Sequence, residues 1–473
     1  MSVRRAKLVC TLGPACATPD GVRALAAAGT DVFRVNLSHG EPDARAAMVE
    51  LVRSVANELG RDLAVMADLP GPKIRLGELE GGLVKLEPGG RFELRPGDGP
   101  GSAAGASTTY PGLAADVVPG DRVLLSDGAV ELVVVASGGS AVVCEVVRGG
   151  RIRSGAGVNV PAERLRLPGI TERDRAGLAE ALGFGADLVA QSFVRGAADL
   201  VDLRDLMGEH PVPIVAKIET RPAVEHIEEI LARADAVMVA RGDLGVELPM
   251  EEIPILQKEL LRAATRAQRP VIVATQMLES MVAAPRPTRA EATDVANAVL
   301  DGADAIMLSA ETAIGEFPIE AALAAARIAE VAEERGGSFV AERETCTHTE
   351  EAAAVAHAAA RIAADDPEVV AIACYTTTGR TAALLSAERP HVPICAFVPE
   401  AAVRRTLSLR WGVRALPAVI PSDTDEMIGL MDEGLRAAGF AREGESIVMA
   451  ASSPAGRSHT NMLKVHHAGD AVR

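Results

Sequence analysis

Two short segments of this chain carry the residues best suited to chemistry. AKIET (Ala216 to Thr220) and VARGDLG (Val239 to Gly245) each follow an apolar run and together supply Lys217, Glu219, Arg241 and Asp243. Paired carboxylates suit a hard divalent cation, magnesium or its substitute manganese, and an adjacent lysine suits a phosphate. Together they are the minimum apparatus for phosphoryl transfer. Lys217 and Glu219 lie two residues apart on a strand-like run, so their side chains leave it on the same side. The plainer readings are a structural Lys217–Glu219 ion pair and two acids that cap helices.

Other candidates sit at the ends of similar runs. Arg34, Asn36 and Ser38 alternate along VFRVNLSHG, with His39 following, and an arginine there offers several donors to a phosphate. Asp68, Thr275 and Ser309 end three further runs; Thr275 also reads as an ordinary β-branched strand residue. The amides of Arg241, Gly242 and Asp243 open a helix, an electropositive place for a carboxylate or phosphate. Farther along, Thr376, Thr377, Thr378, Gly379, Arg380 and Thr381 follow a strand and enter a helix, which suits a phosphate cradle as well as a plain surface loop. The loop Ser453 to Ser458 supplies a second such segment.

These residues need elements to bring them together. Eight short apolar runs, at 7–12, 32–38, 63–68, 188–194, 213–219, 236–243, 271–277 and 305–311, alternate with stretches of helical period such as PAVEHIEEILAR. Buried parallel strands in eight β–α units predict a closed (β/α)8 barrel. A doubly wound open sheet is the alternative, but it gathers its site at one crevice, whereas the candidates here spread over many strand ends. GADLVA, RADAVMVA and DGADAIML share an Ala-Asp pair just before a strand, a faint internal repeat.

Between the third and fourth runs the texture turns rich in Gly and Val with short alternations, and Ser126-Asp127-Gly128 reads as a hairpin turn. The expectation is a barrel from 1–70 and 167–340, an inserted small β-barrel lid at 71–166, and a C-terminal α/β domain at 341–473. At 473 residues several domains are needed. The net charge of -17 argues against nucleic-acid binding. No run is long enough to span a membrane, and the start lacks a secretory apolar segment, so a cytoplasmic protein is expected. The six cysteines form no CxxC pair and read as buried reduced thiols.

Seven segments, TLGPA, VNLSHG, GPKIRLG, AKIET, ARGDLGVE, VATQMLESM and PTRAEATDVANAVLDGADAIMLSAETAIGEFP, strongly resemble the pyruvate kinase family in order and over almost the whole chain. That resemblance implies transfer of a phosphoryl group from phosphoenolpyruvate to ADP, a lid domain, a regulatory C-terminal domain and a homotetramer. It assigns Glu219 and Asp243 to magnesium, Lys217 to the migrating phosphoryl group and enolate, and Arg34 and Arg75 to phosphate. His39 falls near the nucleotide, and Thr275 relays the proton that turns enolate into pyruvate. Ser309 is expected to hydrogen-bond Lys217 or a relay water. The Thr376–Thr381 loop would take a sugar phosphate or AMP as effector.

Two departures matter. Asn36, Ser38, Asp68 and Leu69 match a monovalent-cation site, but Lys73 stands where potassium-requiring members have glutamate. A fixed ammonium balances the same charge, so potassium is not expected to be required. Ala156 replaces a lysine that usually lies near the nucleotide phosphates, and Arg151 or Arg153 could compensate. The rival readings are another magnesium barrel enzyme of phosphoenolpyruvate or keto-acid metabolism, and an inactive regulatory homologue.

Overall fold

The eight apolar runs form β1 (Lys7–Thr11), β2 (Val32–Asn36), β3 (Ala64–Leu69), β4 (Leu188–Gln191), β5 (Ile214–Ile218), β6 (Ala236–Ala240), β7 (Val271–Ala274) and β8 (Ala305–Leu308). In the computed structural model, which describes residues 4–139, 141–209, 211–336, 350–452 and 460–471, they close into one parallel barrel in sequential order. Burial on both faces explains their composition. One face looks out to the helices. The other fills the interior with Val9, Met66, Val215, Met238, Ile272 and Met307, among others.

The Ala-Asp repeat has a structural reason. Asp187, Asp235 and Asp304 each stand just before an even-numbered strand and accept the backbone amide at the foot of the preceding odd strand, from Val65, Ile214 and Val271. Asp31 does the same for Leu8 ahead of β2. Each carboxylate also pairs with an arginine: Asp31 with Arg4, Asp187 with Arg53, Asp235 with Arg204 and Asp304 with Arg389. The repeat therefore caps the amino-terminal rim, opposite the candidate chemistry.

The insertion, expected as a small β-barrel, is built from a six-stranded sheet and a separate two-stranded ribbon. They share a core that includes Phe92, Leu94, Val123, Leu132 and Ile152. The hairpin at Ser126-Asp127-Gly128 joins Arg122–Leu125 to Val130–Gly138, with positive φ at all three turn residues. The C-terminal region folds around β9 (Val369–Tyr375), β10 (Ile394–Val398), β11 (Val413–Pro417), β12 (Ser446–Ala451) and β13 (Met462–His467), in the order β11-β10-β9-β12-β13. Only β13 runs antiparallel to its neighbour. Leu409 leaves this region to join the cluster inside the barrel.

Cys10, Cys16, Cys144, Cys374 and Cys395 are buried and unpaired, while Cys346 lies outside the described residues. No described helix is long and apolar enough to cross a membrane.

Candidate active site

Most apolar runs outlast their strands at the carboxyl end. β4 stops at Gln191, β6 at Ala240 and β7 at Ala274, so the chain bends into the rim where the reactive side chains gather. Ser38 likewise lies beyond β2. The expected alternation stops at Asn36, whose Oδ1 accepts the Ser38 amide at 3.0 Å. Three residues beyond strand ends, Phe193, Thr275 and Gln276, hold positive φ, which is uncommon outside glycine and clusters at functional sites.

Lys217 is the centre of the arrangement. Its ammonium is buried and lies 3.2 Å from Asp68 Oδ1, 3.1 Å from Glu219 Oε1 and 2.6 Å from Ser192 Oγ. Burial alone would lower its pKa, but Asp68 and Glu219 outweigh that and raise it. The hydroxyl beside Lys217 is therefore that of Ser192. Ser309 makes no hydrogen bond to Lys217; its amide donates to Glu311 at 2.6 Å. Ser192, in the QSF segment that outruns β4, was the partner missed in the sequence, where only its place at a strand end could have signalled it.

Asp68, one residue before the end of β3, bridges two cations. Arg34 donates to its Oδ2 from Nε at 2.7 Å, and Arg34 Nη1 donates to Thr11 Oγ1 at 3.1 Å. Burial pushes the Asp68 carboxyl up, yet Lys217 and Arg34 hold it below the ordinary range. Glu219 accepts the Phe193 amide at 2.9 Å. Its carboxyl is raised by burial, against the pull of Lys217 and with the help of like charge on Asp243. Lys217, Glu219 and Asp243 thus share one electrostatic neighbourhood.

Asp243 lies in the first turn of the helix Arg241–Glu247, which starts directly after β6. Lys73, at the root of the insertion, donates to its Oδ1 at 2.9 Å and stands 5.9 Å from the Phe193 ring centroid. This ammonium sits on Asp243, not on Asp68, Asn36 or the buried Leu69. Two carboxylates close enough to disfavour each other's charge offer hard oxygen donors whose repulsion a divalent ion would relieve, and Lys73 already holds a cation at one of them. Among the described residues no three acidic, histidine or cysteine side chains cluster as metal ligands, so substrate and water oxygens would complete such a shell.

Thr275, one residue past β7, accepts the Gly242 amide at 2.8 Å and donates to the Ala274 carbonyl at 2.6 Å. The Gly242 amide is thus already engaged by this hydroxyl. Arg75 bonds the Gly155 carbonyl in the insertion at 3.1 Å. The His39 imidazole is lowered by partial burial and by the nearby charges of Arg75, Arg34 and Arg173, marking an electropositive flank. Glu311 bonds the amides of Leu278 and Ser309, and Glu291 bonds Thr288 and Ser280, so both acids brace the rim from behind.

The Thr376–Thr381 loop lies far from this rim, in the C-terminal region. Thr376 Oγ1 accepts the Gly379 amide at 3.0 Å, and Arg380 pairs with Glu350. Thr378, Gly379 and Arg380 line a cavity of about 550 Å³ whose opposite wall is the amino-terminal rim of the barrel, with Arg269 and Arg410. Thr377 stands exposed beside them, and Thr381 bonds Thr460. The Ser453–Ser458 loop lies outside the described residues.

Comparison with known proteins gives a consistent result. Residues 3–322 match the family model "Pyruvate kinase, barrel domain", and 353–466 match "Pyruvate kinase, alpha/beta domain". Pyruvate kinase of Corynebacterium glutamicum is 43% identical over 473 residues, covering 99% of both chains. That of Mycobacterium tuberculosis is 42% identical over 470 residues, again covering 99% of each. A crystal structure of a pyruvate kinase from Cryptosporidium parvum superposes with a TM-score of 0.90 at 32% identity, covering 98% of this chain and 96% of the other. On this evidence the chain belongs to the pyruvate kinase family.

Proposed function

We propose that this protein transfers the phosphoryl group of phosphoenolpyruvate to ADP, forming ATP and pyruvate, the last step of glycolysis. The observation that carries this reading is the buried Lys217 ammonium held between Asp68 and Glu219 at the barrel rim, with Asp243 and Thr275 on the next two strand ends. Glu219 and Asp243 would hold magnesium, or manganese in its place. When bound, the ion supplies charge neutralisation for phosphate and enolate oxygens.

Each side chain then has a task that its position supports. Arg34, fixed by Asp68 and Thr11, offers a guanidinium to the phosphate. The nucleotide approaches the flank of Asn36, His39 and Arg75. A β-phosphate oxygen of ADP attacks phosphorus while the bond to the enol oxygen breaks and its electron pair stays on the enolate. Lys217 follows the migrating negative charge, and its two carboxylate partners keep it protonated. Thr275 Oγ1 relays a proton to the methylene carbon, which becomes the methyl group of pyruvate. The 71–166 insertion, whose Lys73 and Arg75 reach the rim, acts as a lid that excludes water.

Potassium is not required on this reading, because Lys73 supplies a fixed cation at the same rim. Activity with magnesium should be nearly unchanged when potassium is replaced by tetramethylammonium, and a tens-of-fold loss would exclude the idea. The enzyme works as a cytoplasmic homotetramer, with no nucleic-acid or membrane partner. A sugar phosphate or AMP binds at Thr376–Thr381, a reading supported by the adjoining arginine-lined cavity.

The deciding experiment mixes purified protein with phosphoenolpyruvate, ADP and magnesium and measures ATP and pyruvate together. Equal amounts of both are expected. Consumption of phosphoenolpyruvate without ATP would point to a different barrel chemistry, and no turnover at all to a regulatory homologue.

A further inference from the structure

Thr275 and Gln276 are consecutive non-glycine residues at φ +71° and +54°. For a β-branched residue this is an outlier, costing on the order of 1–3 kcal/mol, so the surroundings must enforce it. The Arg241 side chain is bonded directly to this turn. It leaves the end of β6 and crosses to the end of β7, where Nη2 donates to the Thr275 carbonyl at 2.9 Å and lies 2.8 Å from Met277 Sδ. Nη1 donates to Asp294 at 2.7 Å.

Asp294 belongs to the helix Arg289–Leu300. That helix is itself tied down through the Thr288–Glu291 capping box, whose Glu291 also bonds Ser280. The guanidinium therefore clamps a left-handed turn against a fixed carboxylate. The next residue, Gly242, gives its amide to Thr275 Oγ1. The hydroxyl is oriented from the peptide carbonyl on one side and from an amide on the other. None of these contacts reaches Lys217 or Glu219.

We propose that Arg241 is a positioning residue for the protonation half of the reaction. It holds the 275–276 turn in the conformation that keeps the Thr275 hydroxyl at the rim, where proton transfer to the enolate takes place. The inference rests on the proton-relay role of Thr275 given above. The guanidinium meets its two acceptors from separate nitrogens, Nη2 on the carbonyl and Nη1 on the carboxylate. Lysine ends in one nitrogen on a shorter side chain and would have to reach both from a single point.

The two half-reactions are measured separately. Exchange of pyruvate methyl protons in D2O, with magnesium and ATP present, reports proton transfer at carbon. Rapid-quench ATP formation from phosphoenolpyruvate and ADP reports phosphoryl transfer. In Arg241→Gln the exchange rate should fall about 10- to 100-fold, at least about tenfold more than any loss in the ATP burst. Arg241→Lys, which keeps a cation for Asp294 and so protects folding, should show the same selective loss. Crystals of it should show Thr275 leaving positive φ.

Equal losses in both half-reactions, or none in either, would overturn the role. Thr275→Ala separates the two layers. If exchange collapses there but survives both Arg241 variants, only the positioning role fails. If exchange also survives Thr275→Ala, the relay reading fails and takes this inference with it.

Discussion

Lys217 illustrates what a buried charge needs in order to stay charged. Burial works against the ammonium, and two carboxylates and a hydroxyl restore it. Lys217→Met should lower kcat by about 10²- to 10³-fold, the scale of losing one electrostatic donor at a reacting centre. Its KM for phosphoenolpyruvate should change far less. Steady-state kinetics would show this, and near-normal turnover would remove Lys217 from the mechanism. Asp68 retains Arg34 in that variant, so the protein should still fold. Glu219→Gln should weaken Mn2+ binding, read by electron paramagnetic resonance titration, by at least the ~10–100-fold seen when a ligand's outer partner is lost. Unchanged binding would place the ion elsewhere. Both residues were legible in the sequence because a strand's two-residue period fixes their common face. Ser192 was not legible, since a lone serine has no signature until the fold brings Lys217 to it.

At the scale of elements, the strands and their order were readable and their ends were not. Val194, Met277 and Leu278 are fully buried although they lie beyond their strands. Hydropathy therefore continues where backbone pairing has stopped. What marks the stop is backbone conformation, and neither Phe193 nor Thr275 announces a positive φ by its chemistry. Gly71 is the opposite case, a turn residue whose type does report its geometry. It sits at φ +68°, and a Cβ there would lie 2.9 Å from both the Ser192 Cβ and the Ser192 carbonyl oxygen. Gly71→Ala would combine a left-handed penalty with a push on the Lys217 partner. Stability to urea should fall by about 1–3 kcal/mol, and kcat should fall with it. Full stability and activity in that variant would mean the insertion's root yields without disturbing β4.

Across the whole molecule, the catalytic rim is one end of the barrel and the C-terminal region grips the other. Arg405 pairs with Asp187, Arg404 with Asp62 and Arg389 with Asp304, while Leu409 fills the barrel's base. Single charges so far apart in the sequence gave no hint of these pairings, whereas the two regions themselves were visible from pattern. Leu409→Ala should destabilise by about 2–4 kcal/mol through the cavity it leaves, measured as a lowered thermal midpoint; an unchanged midpoint would mean the base collapses to fill it. Lys7, at the foot of β1, donates to the Val413 carbonyl at 2.7 Å across the same junction. Burial lowers its pKa from 10.5 to about 7, with Asp31 and Glu333 opposing the shift and Arg414 and Arg4 adding to it. Between those values the unfolded chain carries a proton that the folded one lacks. Stability from this group therefore rises as pH climbs from about 7 to 10.5, and below about 7 the full cost of burying the ammonium applies. Lys7→Met removes that dependence. The variant should exceed the parent most at pH 7, by on the order of a few kcal/mol, and the gap should close towards pH 10. Thermal midpoints at both pH values test this, and parallel profiles would show that the ammonium reaches water in the folded protein.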